Sequence, residues 1–255
     1  MPINHDSKIL FIQIPHCEVP IFNVLNPLID GRYMSAFLNM LNENNFYTSL
    51  KSQSPFFSTL DVSSFSSDEL EELKAKNLQN CTYKELKKLL PANVFTSEYS
   101  KFAIIRNPYA RIAAEYFHLL DLAKENDSLI DFKNTHPSPS DFVVNSLSLP
   151  RLERIKKYEG RLETQCDYLL DTTKEDIVSS NNIKLYQIEY QFDVFLNDMN
   201  IQSIPDFVVE NTKKKLLEKD YAEYFNEETQ ETIFDFYKDD FEHLGYSNYK
   251  NFLKV

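Results

Sequence analysis

Three groups of residues in this chain have types and spacings that could do chemistry. The first is Arg106, inside the run Lys101-Phe-Ala-Ile-Ile-Arg-Asn-Pro-Tyr-Ala-Arg-Ile-Ala-Ala-Glu-Tyr116. Phe102 to Arg106 reads as a short buried strand that ends in a guanidinium. Pro108 then stands where the first turn of a helix tolerates it, since its missing N–H would be unpaired there anyway. Ile112, Ala113, Tyr116, Leu119 and Leu120 follow at helical spacing. A strand that delivers a guanidinium to the mouth of a helix makes an anion site. The free N–H groups and the dipole favour negative charge, and the planar fork of Arg106 can grip a phosphate through two bonds. The same residues also fit an ordinary strand–turn–helix with a solvated arginine. The second group is Arg151, Arg154, Lys156 and Lys157, the dense basic cluster in the middle of the chain. It fits a solvated helix face, and it also fits a clamp for an anionic acceptor. The third is His16, which follows the apolar run Lys8 to Pro15 and titrates near neutrality.

The elements that must position these groups follow from the hydrophobic pattern. Lys8 to Pro15 (Lys-Ile-Leu-Phe-Ile-Gln-Ile-Pro) has the continuous apolar character of a central parallel strand. Residues 51–68, rich in Ser and Phe without a period, read as a mobile surface loop that could face a substrate. Asp68 to Asn77 and Thr82 to Leu90 read as helices, the second capped by Thr82 with Glu85 completing a capping box. Asn126 to Ser140, with Pro137 and Pro139, reads as a connection before a short helix from Asp141. Ile183 to Glu189 is a further strand, followed by an amphipathic helix through Phe192, Phe195, Leu196 and Met199. A last helix, Glu227 to Phe241, sets Ile233, Phe234, Tyr237 and Phe241 on one face.

The bulk numbers bound the function. With 255 residues, 42% hydrophobic and 14% aromatic, the chain can bury a full core. A net charge of −12 weighs against wholesale binding of nucleic acid or an anionic membrane, either of which needs a basic face. No segment reaches the roughly 18–20 unbroken apolar residues of a membrane span, and the N-terminus lacks the charged-then-apolar order of a signal peptide. Cys17, Cys81 and Cys166, odd in number and widely spaced, suggest reduced thiols and no zinc site. The expected location is cytoplasmic.

The segment Phe-Ala-Ile-Ile-Arg-Asn-Pro-Tyr-Ala-Arg resembles the 3′-phosphate-binding segment of sulfotransferases that use 3′-phosphoadenosine 5′-phosphosulfate (PAPS). The closest branch is the one containing carbohydrate sulfotransferases and their soluble bacterial relatives. That segment usually reads Phe-x-Phe-Val-Arg-Asn-Pro-Tyr-x-Arg-x-x-Ser-x-Tyr. Arg106, Asn107, Pro108, Tyr109, Arg111 and Tyr116 match, while Ala114 stands in place of the serine. The run Tyr237-Lys-Asp-Asp-Phe-Glu-His-Leu-Gly-Tyr246 resembles that branch's C-terminal signature, Tyr-x-x-Asp-Phe-x-x-Phe-Gly-Tyr. Gln165-Cys166-Asp167-Tyr168-Leu169 resembles its Pro-Gln-x-Asp-Tyr-Leu, near the acceptor side of relatives, with Arg161 close by. Glu189 matches the glutamate that ends a family strand, and is expected to fix local structure.

The resemblance is weakest where the family binds the 5′-phosphosulfate. There the family reads Ile-Pro-Lys-Thr-Gly-Gly-Thr-Ser or similar, and this chain has Ile-Pro followed by His16, Cys17, Glu18, Val19, Pro20 and Ile21. His16 replaces the lysine, Glu18 and Val19 replace the glycines, and Pro20 removes a backbone donor. A carboxylate in a phosphate cradle is repulsive, so Glu18 points away or the loop holds no phosphosulfate. Only Gly31, Gly160 and Gly245 occur in the whole chain, so no other glycine-rich loop substitutes. His16 is open to two readings: an imidazolium on the bridging oxygen or a base, or a loop histidine without function. Asn80 stands where some relatives carry a histidine that could serve as base.

The resemblance therefore implies one α/β domain over residues 1–255, of P-loop-like sulfotransferase fold, with a parallel sheet of about four or five strands flanked by helices. It implies transfer of a sulfuryl group from PAPS to a hydroxyl of a carbohydrate or small metabolite, without a metal. Arg106, Asn107 and the position of Ala114 would hold the 3′ end of the donor. His16, Cys17, Pro20 and Ile21 would hold the 5′ end, with His16 as the catalytic group. The alternative is a catalytically inactive protein of the same fold that binds a nucleotide, a glycan or a protein partner.

Overall fold

The computed structural model describes residues 3–4, 8–17, 66–75, 80–90, 92–125, 131–170, 182–199, 210 and 221–246. These form a single-sheet α/β protein. β1 (Ile3–Asn4), β2 (Ile9–Ile12), β3 (Ser100–Ile105) and β4 (Ile183–Gln187) lie side by side in that order. β2, β3 and β4 are parallel, with Phe11 opposite Phe102 and Ala103 opposite Leu185. The parallel part therefore has three strands among the described residues, fewer than the sequence suggests, and the fourth, β1, runs antiparallel to β2.

β3 sits at the centre because its sequence allows nothing else. Phe102, Ala103, Ile104 and Ile105 are all buried, so the strand needs cover on both faces, as parallel strands do. Phe102 stacks on Phe11 at 4.9 Å and meets Phe195 at 5.7 Å, which ties the strand to its neighbour and to the helix after β4. The following helix, α3 (Pro108–Glu125), opens on its proline. α1 (Ser67–Ala75) and α2 (Tyr83–Leu89) precede β3. The Thr82–Glu85 capping box of α2 is present in both directions, at 3.2 and 2.7 Å. Ser67 and Asp68 belong to the first turn of α1, not to a loop; residues 51–65 lie outside the described residues. Ser66 and Glu69 exchange the same two cap bonds there, which moves the helix start forward.

Seven further α-helices among the described residues complete the cover, four before β4 and three after it. α4 (Phe132–Thr135) and α5 (Pro139–Leu147) occupy the proline-bearing connection, α5 starting at Ser138, whose hydroxyl accepts from the Asp141 N–H. α6 (Arg151–Tyr158) ends with Glu159 and Gly160 both at positive φ, and α7 (Gln165–Leu169) follows directly. α8 (Ile188–Asp198) leaves β4 without a linker. The final helical segment is two helices, α9 (Glu227–Phe236) and α10 (Lys238–His243), where the apolar spacing suggests one. The break at Tyr237 has a packing reason. Tyr237 is buried with its hydroxyl donating to the Leu162 carbonyl at 2.8 Å, and Asp240, one turn on, is fully buried against α7.

Candidate functional site

In an open parallel sheet, ligand sites form beyond the carboxyl ends of the strands. Here β2 delivers His16 to that edge and β3 delivers Arg106. The two residues touch: Arg106 Nη1 donates to the His16 carbonyl at 2.9 Å. Both are more than nine-tenths buried.

Arg106 is held from behind by Gln165, whose side-chain amide treats it as a neighbouring strand would. The Arg106 N–H donates to Gln165 Oε1 at 2.8 Å, and Gln165 Nε2 donates to the Arg106 carbonyl at 2.7 Å. Asp240 in turn accepts from the N–H groups of Gln165 and Cys166 at 2.9 and 2.8 Å, anchoring the start of α7. Cys17 donates its thiol to the same Gln165 oxygen at 3.2 Å. Gln165, which the resemblance assigns to the acceptor side, is thus a buried hub under the arginine. At its tip, Arg106 Nη2 donates to the Tyr221 hydroxyl at 2.8 Å, while the buried Nε has no hydrogen-bond partner among the described residues.

The opening turn of α3 is satisfied from within the protein. The Asn107 N–H donates to Glu189 Oε1 at 2.7 Å, and Asn107 Oδ1 accepts from the Tyr109 N–H at 2.9 Å. Tyr246 of the C-terminal signature donates to the other Glu189 oxygen at 3.3 Å. Burial raises the Glu189 carboxyl above its usual range, and the Asn107 N–H, Arg106 and Tyr246 oppose that rise. With both oxygens engaged, Glu189 fixes local structure, as the sequence suggests. Ala114, in the place of the family's serine, is half-buried on α3 and offers no polar atom.

His16 has φ of +63°, the left-handed region that a non-glycine residue enters at a cost of about 1–2 kcal/mol. Such an outlier marks a position over-determined by its surroundings. The surroundings are charged. His16 Nε2 contacts Glu115 Oε2, and neither atom has another partner. Glu115 Oε1 accepts from Arg161 Nε at 3.0 Å, and Arg161 also pairs with Glu159 at 2.9 Å. Burial alone would raise the Glu115 carboxyl, but the hydrogen bond and charge of His16, with Arg161, hold it below its ordinary value. His118, one turn along α3 with its ring centroid 5.3 Å from that of His16, is pushed toward the neutral form by burial and by His16. Nδ1 of His16 is buried and has no hydrogen-bond partner among the described residues.

Glu115 is the site residue that the sequence pattern hides. It follows Ala114 on a helix whose apolar spacing points to core, and nothing local signals a buried carboxylate there. Glu18, Val19, Pro20 and Ile21 of the loop lie outside the described residues, as does Gly31. Asn80 is buried at the edge of the turn before α2. Arg111 is spent on backbone: its Nε, Nη1 and Nη2 donate to the carbonyls of Pro15, Glu163 and Arg161 at 2.9, 2.7 and 2.8 Å. Most of the basic cluster is the exposed helix face that the sequence suggests, with Arg151, Lys156 and Lys157 exposed and Arg154 buried. Arg151 pairs with Glu72 and Glu163, Arg154 with Glu163 at 2.9 Å, and Lys156 with Glu71 at 3.5 Å, so α6 docks on the acidic side of α1.

No family model, curated protein or solved structure matches the chain. Among the described residues, no helix is long and apolar enough to cross a membrane.

Proposed function

We propose that the protein is a PAPS-dependent sulfotransferase of the P-loop-like fold, moving a sulfuryl group to a hydroxyl of a carbohydrate or small metabolite. The observation that carries this reading is the meeting of His16 and Arg106. The two segments that resemble the donor's 5′ and 3′ contacts, some ninety positions apart, end on adjacent parallel strands and are joined by a 2.9 Å hydrogen bond. The residues fit an oxyanion in a specific respect. A buried guanidinium N–H without a partner, Arg106 Nε, is costly unless something accepts from it, and a phosphate oxygen would.

When bound, PAPS supplies the activated sulfuryl group; the chain supplies position and charge. Arg106 would hold the 3′-phosphate through Nε and through Nη2, once the Tyr221 hydroxyl gives way. His16 would face the reacting end, at the position of the family's lysine. Gln165 keeps the Arg106 backbone in register with the sheet while its tip changes partners. The acidic field of the chain makes Arg106 the necessary local counter-charge for a polyanionic donor.

A second reading, an inactive binder of the same fold, is favoured by one observation. Both terminal nitrogens of Arg106 and the Asn107 N–H already have protein partners, so the donor must compete for them. A thermal shift with 3′-phosphoadenosine 5′-phosphate separates the two. Saturation at about a hundred times the dissociation constant adds roughly 2.7 kcal/mol, a rise of about 5–10 °C for a chain of this size. A rise abolished by Arg106→Ala supports the sulfotransferase. No rise at millimolar nucleotide rejects it in favour of the binder.

A further inference from the structure

We infer that Glu115 is a positioning residue: braced by Arg161, it fixes the His16 ring as the Nε2–H tautomer and leaves Nδ1 as the proton-accepting atom of the site. The inference rests on the sulfotransfer reading for its chemistry, but the geometry that carries it does not depend on that reading.

An ionised carboxylate only accepts hydrogen bonds, so the ring nitrogen against Glu115 Oε2 must carry a proton. That nitrogen is Nε2. The other oxygen of Glu115 is held by Arg161, so the carboxylate cannot turn away from the ring. What remains is Nδ1, buried and without a hydrogen-bond partner among the described residues. Its neighbours at the same edge show how unusual that is, since Gln165, Arg111 and Asp240 spend their polar atoms on protein partners. The backbone cooperates: the left-handed φ of His16 and the bond from Arg106 to its carbonyl fix where the ring starts. Among the described residues, the charged and titratable groups around the ring are Glu115 and His118 from α3, Arg161 from the turn after α6, and Arg106 from the end of β3.

A carboxylate on one ring nitrogen and a free lone pair on the other is the arrangement by which a histidine is held ready to take a proton. In sulfuryl transfer the acceptor's hydroxyl proton passes to Nδ1 while its oxygen bonds to sulfur. The sulfur–oxygen bond to the nucleotide breaks, and its electron pair stays on the phosphate oxygen. The lysine of the resembled family is thereby exchanged for an acid–base group that needs a carboxylate behind it.

The test is the ¹⁵N spectrum of the histidine rings at a pH above their titration range. The expected result for the full chain is a His16 ring with a protonated Nε2 and an unprotonated Nδ1, and loss of that fixed tautomer in Glu115→Gln. A His16 ring protonated at Nδ1 overturns the inference whether or not the protein turns over PAPS. If Glu115→Gln does not fold, the wild-type spectrum decides alone. The second readout is release of 3′-phosphoadenosine 5′-phosphate from PAPS with concentrated glycerol as a generic hydroxyl acceptor. In Glu115→Gln, kcat falls about 100-fold with KM unchanged, the rising limb of its pH profile is displaced, and Glu115→Asp recovers part of the loss. Equal kcat in wild type and Glu115→Gln overturns the positioning role. A wild type with the Nε2–H tautomer but no nucleotide release upholds the positioning and rejects the sulfotransfer reading.

Discussion

Arg106 and Arg111 lie on either side of the opening turn of α3, are both buried, and do opposite things. Arg111 gives every side of its guanidinium to main-chain carbonyls from two separate loops. It is a rivet: Nε, Nη1 and Nη2 each donate to backbone, joining the carbonyls of Pro15, Glu163 and Arg161. Arg106 bonds one carbonyl and one tyrosine hydroxyl, and leaves Nε unpaired. The contrast teaches that a buried arginine is not in itself a binding residue. What distinguishes the two is whether the partners are fixed backbone or exchangeable, and whether the donors are all spent.

The comparison can be broken most directly at the rivet. Arg111→Met leaves three buried carbonyls without their donor, and the expected loss is about 4 kcal/mol or more of unfolding free energy in denaturant titrations. Survival of Arg111→Met with near wild-type stability would dismiss its structural role. Arg106→Ala should act the other way round, costing about 2–4 kcal/mol in affinity for 3′-phosphoadenosine 5′-phosphate by calorimetry, with a smaller loss of stability. Equal destabilisation by both variants would erase the distinction drawn here.

Acid titration sharpens the contrast at the next level. The folded Glu115 carboxyl lies below its ordinary value of 4.5, so it contributes stability above that pH and loses it as the pH falls through the folded value. Asp240 and Glu189 are raised, chiefly by burial, and their contribution has the opposite sign: present in acid, lost as the pH rises through their folded values. Glu115→Gln should therefore flatten the acid limb of the stability curve, and a limb left unchanged would show that His16 and Arg161 do not hold the carboxylate. The smallest effect belongs to the basic cluster. Lys156→Ala removes an exposed pair with Glu71 and should change stability by no more than about 0.5 kcal/mol. Loss of nucleotide binding in that variant would revive the anion clamp.

The order and direction of the main elements were legible because they rest on local pattern. β2, β3 and β4, the proline start of α3 and the Thr82 cap of α2 each announce themselves within a few residues. Arg106 and His16 were each legible as the residue that follows an apolar strand. Their partners were not, because those arrive from distant sequence by side-chain contact alone. Gln165 reads as part of a motif, yet its task of imitating a strand neighbour depends on the fold. Glu115 sits in a stripe that reads as core, and only the approach of His16 and Arg161 makes a buried carboxylate tolerable there. The break at Tyr237 escaped the pattern for the same reason, since a continuous apolar face conceals the inward turn of Asp240.

The Gln165–Asp240 support has a consequence for how the protein comes into being. His16, which accepts from Arg106, is synthesised before it, but the rest of its support comes later: Gln165 follows by about sixty positions, Tyr221 and Asp240 by more than a hundred. On the ribosome, β2 and β3 can pair while the arginine's backbone still has one side open and its tip has no tyrosine to lean on. Under the proposed function, a nucleotide donor would therefore have no finished site to join until residues through Asp240 have emerged from the exit tunnel, and ligand-assisted rescue of a nascent chain should fail.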